Sequence, residues 1–158
     1  PTAGTSSADW LAGSDVNDIL TGGGGADTLL GFGGNDTIHV SDLAFARIDG
    51  GAGTDSLVLD GSGISIVFPA LASDTVTGIE MIDIGGSGAN SVTLDLQSVL
   101  DMSDTTDTLM IVGGTDDSVT AVGFTATGGT ETSGGVTFDV YTNAGATLWI
   151  DQDMQIAV

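Results

Sequence analysis

Aspartate recurs at a fixed step through the first quarter of the chain. Asp9, Asp18, Asp27 and Asp36 are nine residues apart. Two residues after each stands an aliphatic side chain, Leu11, Leu20, Leu29 and Ile38; five residues before each stands a glycine, Gly4, Gly13, Gly22 and Gly31. The blocks read GTSSADWLA, GSDVNDILT, GGGGADTLL and GFGGNDTIH. Self-similarity at a fixed step restricts a chain to repeat architectures, in which a unit buries its apolar face only by stacking on the next. The phase then breaks at Phe45, which stands where the next Asp falls, and GGAGTDSLV (50–58) restores it with Asp55 and Leu57. Asp36 and Asp55 are two repeats plus one residue apart, so residues 40–49 read as an irregular half-turn with one bulged residue.

A nonapeptide divides into a six-residue turn and a three-residue strand. Two of them make one coil with a strand on each of two faces. Residues one coil apart then stack at the parallel-strand spacing of about 4.8 Å. Asp9 is expected over Asp27, Asp18 over Asp36 and, with the extra residue bulged out, Asp36 over Asp55. The aliphatic positions point inward as a thin core. Stacked carboxylates repel one another, and a cation between them reverses the sign. Oxygens on opposite sides of a calcium ion lie about 5 Å apart, close to the strand spacing. On this pairing the chain takes roughly three or four Ca2+ ions. A metal-free Gly-Asp turn repeat is the alternative, and it leaves the Asp stacks uncompensated. Magnesium, with its tight octahedron and retained waters, fits poorly.

The blocks resemble the RTX nonapeptide family, with its pattern G-G-x-G-x-D-x-U-x. GGGGADTLL and GGAGTDSLV match throughout; GFGGNDTIH departs at Phe32, GSDVNDILT at Ser14 and Val16, and GTSSADWLA keeps only Gly4, Asp9 and Leu11. The resemblance implies a calcium-binding parallel β-roll in which turn carbonyls complete the coordination. Carried over on that basis are Gly22, Gly24, Gly31, Gly33, Gly50 and Ala52, with Gly13 and Asp15, beside Asp9, Asp18, Asp27, Asp36 and Asp55. The Asp18–Asp36 pair matches best and the Asp9 end least.

The remaining acids point the same way. Formal net charge is −21, and Arg47 is the one Lys or Arg. Nucleic acid and anionic membrane surfaces are therefore poor partners. Apart from Glu80 and Glu131 the acids are all Asp, a turn former rather than a helix former. By composition alone an acidic, solubilising or halophilic surface explains this equally. The absence of Cys removes disulfides and thiolate sites, and no run of about 18 apolar residues exists to insert into a membrane.

From residue 59 the nine-residue period disappears. Short β-rich runs follow: 64–68, 79–84, 91–96, 108–112, 118–122, 136–142 and 146–151. The last two flank Asn143-Ala144-Gly145 as a hairpin. One short helix is expected around Leu96–Met102, where Leu96, Val99 and Leu100 share a face. The fold class is thus all-β: a parallel β-roll over 1–58 and a β-rich block over 59–158 that continues or caps it. The runs ARIDGGAGTDSLVLDG, GIEMIDIGGSGAN, VLDMSDTTDTL and VYTNAGATLWIDQD resemble the C-terminal segment of giant RTX adhesins of Gram-negative bacteria. That resemblance implies export by a type I secretion ABC transporter, with the secretion signal in the last stretch. The apolar run Met154–Val158 fits such an ending or one more edge strand.

No catalytic constellation emerges. His39 is the lone His, no nucleophile elbow accompanies it, and zinc needs more His or Cys. Asp116–Asp117 and Asp151/Asp153 read as turn acids rather than a glycosidase pair; Trp10 and Trp149 read as core edges rather than sugar platforms. The seventh positions Trp10, Ile19, Thr28, Thr37 and Ser56 form no flat Thr array of the ice-binding kind. The expectation is a monomeric, secreted, cell-surface-associated calcium-dependent folding and secretion module without enzymatic activity. The alternatives are a calcium-dependent module binding a host or surface glycan, and the non-catalytic end of an RTX enzyme.

Overall fold

Each Asp-x-aliphatic step becomes a short strand. The computed structural model describes residues 1–103 and 106–158. In it β1 (Thr2–Ala3), β2 (Trp10–Ser14), β3 (Ile19–Thr21), β4 (Thr28–Phe32), β5 (Thr37–Val40), β6 (Arg47–Asp49) and β7 (Ser56–Leu59) alternate between two sheets. Pairing is parallel throughout, Leu11 with Leu29 and Leu20 with Ile38. At the irregular half-turn the register moves by one residue in both sheets, pairing Leu29 with Ile48 and Ile38 with Leu57. The extra residue is thus absorbed outside the strands, as expected, and the stack survives. Period-two alternation turns Leu20, Leu29, Ile38 and Leu57 fully inward.

Past residue 59 the winding goes on with longer coils. The second sheet extends without interruption from β7 to β10 (Met81–Asp83), β12 (Thr108–Val112) and β16 (Ala146–Asp151), all parallel. A third sheet opens with β8 (Ser65–Val67), continues in β11 (Ser91–Leu94) and β13 (Ser118–Ala121), and ends in β17 (Gln155–Ala157), inside the apolar run at 154–158. The first sheet stops at β9 (Val76–Thr77), and the helix α1 (Leu96–Met102) follows in the next coil. Two faces thereby become three, around one apolar cluster that runs from Leu11 to Met154. Residues 59–158 thus continue the coil, and the antiparallel strands over 125–133 and 136–143 add on to the last parallel strand of the second sheet.

The helix falls where its apolar spacing places it. Asp95 caps it, its carboxylate accepting the Ser98 N–H at 2.9 Å and the Ser98 hydroxyl at 2.7 Å, while Ser98 reaches back to the Asp95 N–H. These bonds favour the charged form and hold the Asp95 carboxyl below its usual range. The expected hairpin joins β15 (Val136–Asn143) to β16 through Ala144 and Gly145, both left-handed. Three strands escape the sequence reading: β1 and β9, which have two residues each, and β14 (Thr125–Ser133), which is exposed along its whole length and is held by pairing to β15.

Candidate metal centre

The sixth-position acids form a ladder with one rung per coil. Asp36 Oδ1 accepts the main-chain N–H of Asp18 at 2.7 Å, and Asp55 Oδ1 accepts that of Asp36 at 2.7 Å. Glu80 continues the ladder, accepting the Asp55 N–H at 2.9 Å. On the other sheet, Asp27 Oδ1 accepts the Asp9 N–H at 2.9 Å. One carboxylate oxygen of each acid is therefore a structural pin between coils. In Asp27 and Asp36 the second oxygen points into its own turn, toward the first-position glycines Gly22 and Gly31.

Close approach dictates glycine at that first position. A Cβ on Gly13 would stand 2.6 Å from the Gly31 carbonyl oxygen. On Gly31 it would collide with both Asp36 Oδ2 and the Gly50 carbonyl oxygen, and on Gly50 with the Gly78 carbonyl oxygen. The second and fourth positions need glycine for a different reason. Gly23 and Gly25, Gly51 and Gly53, and Gly34 all have positive φ, and Phe32 is driven to +76°. A left-handed non-glycine residue costs roughly 1–2 kcal/mol. No residue of turns 4–9 and 13–18 shows this feature, so the N-terminal turns differ in backbone as well as in sequence.

Among the described residues, no group of three or more His, Cys, Asp or Glu side chains is placed to hold a metal ion. An ion in these turns relies on main-chain carbonyl oxygens beside one or two carboxylates, a donor set that suits a hard cation. Asp36 and Asp55 are 1% and 0% exposed, and the Oδ2 atom of each is buried with no hydrogen-bond partner. Buried carboxylate oxygens without donors are costly unless a cation meets them. The residues present therefore fit calcium.

Burial raises the pKa of Asp55 above its ordinary 3.8; the Asp36 N–H pulls the other way, and the charges of Asp36 and Asp49 add to the rise. A folded-state pKa raised above the unfolded value means that the folded state binds the proton better. In chelator, stability is then expected to fall as pH rises from the unfolded value through the folded one. Melting wild type and Asp55→Asn between about pH 4 and 7 checks this, with the variant showing the shallower decline. Equal slopes would remove Asp55 as the source.

The third-position residues also come together. Gly33 bridges to Ala52, and a Cβ on Gly33 would lie 3.6 Å from Asp15 Cα. The Ala52 carbonyl already accepts the Gly34 N–H at 3.0 Å. Gly24 instead faces Asp42, a residue the repeat pattern does not single out.

The ladder, the left-handed glycines and the orphan oxygens all follow one nine-residue template. Residues 3–40 match the RTX calcium-binding nonapeptide repeat, in four copies. The match supports RTX calcium-binding repeats, and with them a calcium-binding role, for this region of the chain. It ends at Val40, before the block at 50–58 that restores the nine-residue pattern. No curated protein and no solved structure matches the chain. Among the described residues, no helix is long and apolar enough to cross a membrane.

A second ladder lies outside the matched RTX repeats. Asn90 accepts the Ile64 N–H at 2.9 Å, and Asp117 accepts the Asn90 N–H at 2.8 Å. The signal for it was in the sequence. Glu80-Met-Ile, Asn90-Ser-Val and Asp117-Ser-Val keep the acid-or-amide, x, aliphatic step of the repeat while losing its period. Residues 85–90, Gly-Gly-Ser-Gly-Ala-Asn, even keep the RTX turn composition with Asn in place of Asp. Asn90 shows what that exchange does. Its Nδ2 donates to the Ile84 carbonyl at 2.9 Å, so this turn supplies a proton where the Asp turns leave an oxygen bare.

Proposed function

We propose that residues 1–58 form a calcium-dependent β-roll within a non-catalytic folding and secretion module, at the C-terminal end of an exported RTX adhesin. The observation that carries the calcium dependence is the pair of buried, unpartnered Oδ2 atoms on Asp36 and Asp55. Calcium, when bound, supplies the counter-charge these turns lack. Asp18, Asp27, Asp36 and Asp55 would hold it, with the carbonyls of Gly13, Gly22, Gly24, Gly31, Gly33, Gly50 and Ala52 around them; Asp15 would join on the Asp18–Asp36 side, and the Asp9 end makes the weakest site. Three or four ions would cancel about six to eight of the negative charges.

The mechanism is linkage. Where calcium is scarce, self-repulsion at a net charge of −21 loosens the roll and favours a chain that can be threaded through a transporter. Outside the cell, only the folded state presents the closed turns. A site with Kd of about 10⁻⁴ M in about 10⁻³ M calcium stabilises the fold by about 1.4 kcal/mol, and three sites by roughly 4 kcal/mol. The adhesin context rests on the resemblance of the runs from Ala46 onward, and secretion is the common setting of RTX repeats.

Circular dichroism of the full chain during calcium titration tests the reading. The β signal and the melting temperature are expected to rise with calcium and to respond far less to magnesium. Identical spectra and melts in chelator and in calcium would overturn it.

A further inference from the structure

The irregular half-turn that interrupts the repeat removes an acid from the first sheet's ladder. Thr28 pairs with Arg47, and the Asp27 carbonyl oxygen accepts two N–H groups, from Ala46 at 2.8 Å and from Arg47 at 3.1 Å. Phe45, where the period would set an Asp, is turned into the core. Turn 22–27 therefore has Asp27 on one side and no sixth-position carboxylate in the coil that follows. By the repeat pattern this is a half-site.

A different acid arrives there. The short segment after β5 lays Ser41 and Asp42 against the glycines of turn 22–27, and Asp27, Ser41, Asp42 and Phe45 wall a small cavity with them. Ser41 Oγ donates to the Gly23 carbonyl at 2.7 Å, which ties the two turns together. Asp42 Oδ1 accepts the Ala44 N–H at 2.9 Å, which fixes the carboxylate, and Oδ2 lies 3.3 Å from where a Cβ on Gly24 would stand. Asp27 is 3% exposed; its Oδ1 is held by the Asp9 N–H, and its Oδ2 takes no hydrogen bond. That oxygen lies 2.8 Å from the place of a Cβ on Gly22. The carboxylate of the buried Asp27, its Oδ2 open to this cavity, therefore shares it with the carboxylate of Asp42 and the glycine turn between them.

We propose that Asp42 supplies the missing second carboxylate, so that turn 22–27 and the irregular segment together hold one calcium ion. Asp42 lies outside the repeat's sixth position and is reached only because the chain departs from the repeat. Its short arm works from the third residue of the turn, where a glycine in the facing turn leaves room. The proposal rests on the calcium reading above and adds one site to it.

Isothermal titration of the full chain with calcium tests it, using Asp42→Asn beside Asp74→Asn, an exposed acid elsewhere. Asparagine keeps the acceptor for the Ala44 N–H, so a purely local turn role is preserved. Asp42→Asn is expected to lose one ion from the stoichiometry, or at least tenfold in the affinity of one site, with an unchanged melt in chelator. Asp74→Asn is expected to titrate like wild type. A wild-type count and affinity in Asp42→Asn would overturn the assignment while leaving the calcium reading intact. A wild-type chain that takes up no calcium would overturn both.

Discussion

Asp36→Asn is expected to move stability in opposite directions with and without calcium. In chelator the wild-type chain buries an ionised oxygen with no donor, close to the Gly50 carbonyl across the Cα of Gly31. Asparagine keeps Oδ1 for the Asp18 N–H and puts an N–H₂ where the bare oxygen was, as Asn90 does natively with the Ile84 carbonyl. Relief of an unsatisfied buried polar group amounts to about 1–3 kcal/mol. Asp36→Asn should therefore melt roughly 5 °C higher than wild type in chelator. In saturating calcium it should melt lower by a similar amount, because an amide nitrogen repels the ion. The mirror change, Asn90→Asp, should destabilise the chelated chain by about 1–3 kcal/mol, since it leaves the Ile84 carbonyl without its donor and buries a charge. Thermal melts of the three proteins in both buffers decide the matter. A shift of the same sign in both buffers for Asp36→Asn would mean that Oδ2 is not a cation ligand.

Gly31→Ala should be among the most damaging single methyl groups in the repeat region. The glycine has an ordinary φ, so the penalty is steric and not conformational. Its added carbon would strike both the Asp36 carboxylate and the Gly50 carbonyl oxygen. One is the tip of a buried side chain already pinned to the coil before it; the other is main chain, which cannot yield without moving the next coil. Overpacking of a tight interior costs typically 1–3 kcal/mol, and here about 3 kcal/mol or more is expected because main chain is involved. Calcium affinity should fall with it, since both oxygens wall the same turn. Gly135→Ala is the comparison, at φ +88° with nothing within 4 Å of the new carbon. It should cost only roughly 1–2 kcal/mol, from the left-handed backbone. Chemical denaturation of both variants with and without calcium reads out the difference. Equal losses would show that the Gly31 column tolerates expansion.

The repeat region was legible because three constraints share its period. The strand needs an inward aliphatic, the pin between coils needs a short acceptor, and the turn needs glycine. The ladder Asp18, Asp36, Asp55 and the inward Leu20, Leu29, Ile38 and Leu57 follow from spacing alone. Even the one-residue slip at 40–49 could be read, since an insertion in a turn leaves parallel register intact. The hairpin at 143–145 and the helix at 96–102 were equally local in origin.

Two matters depended on the folded chain. The course of residues 59–158 is one: coils there vary in length, so Glu80, Asn90 and Asp117 keep their places in the ladders while sharing no period. Stacking needs only that each coil return to the same level, and loops of any length can do that; sequence spacing therefore stops reporting it. The partner of turn 22–27 is the other. By spacing, that turn faces Phe45 and lacks an acid; in space it faces Asp42, because the extra residue swings the preceding segment across the glycines. A chain of this sequence is committed by its glycines, aspartates and aliphatic step to a coil with oxygen-lined turns. Which oxygens meet across those turns is settled by how far each loop reaches before the next strand begins, a three-dimensional distance that residue counts do not fix.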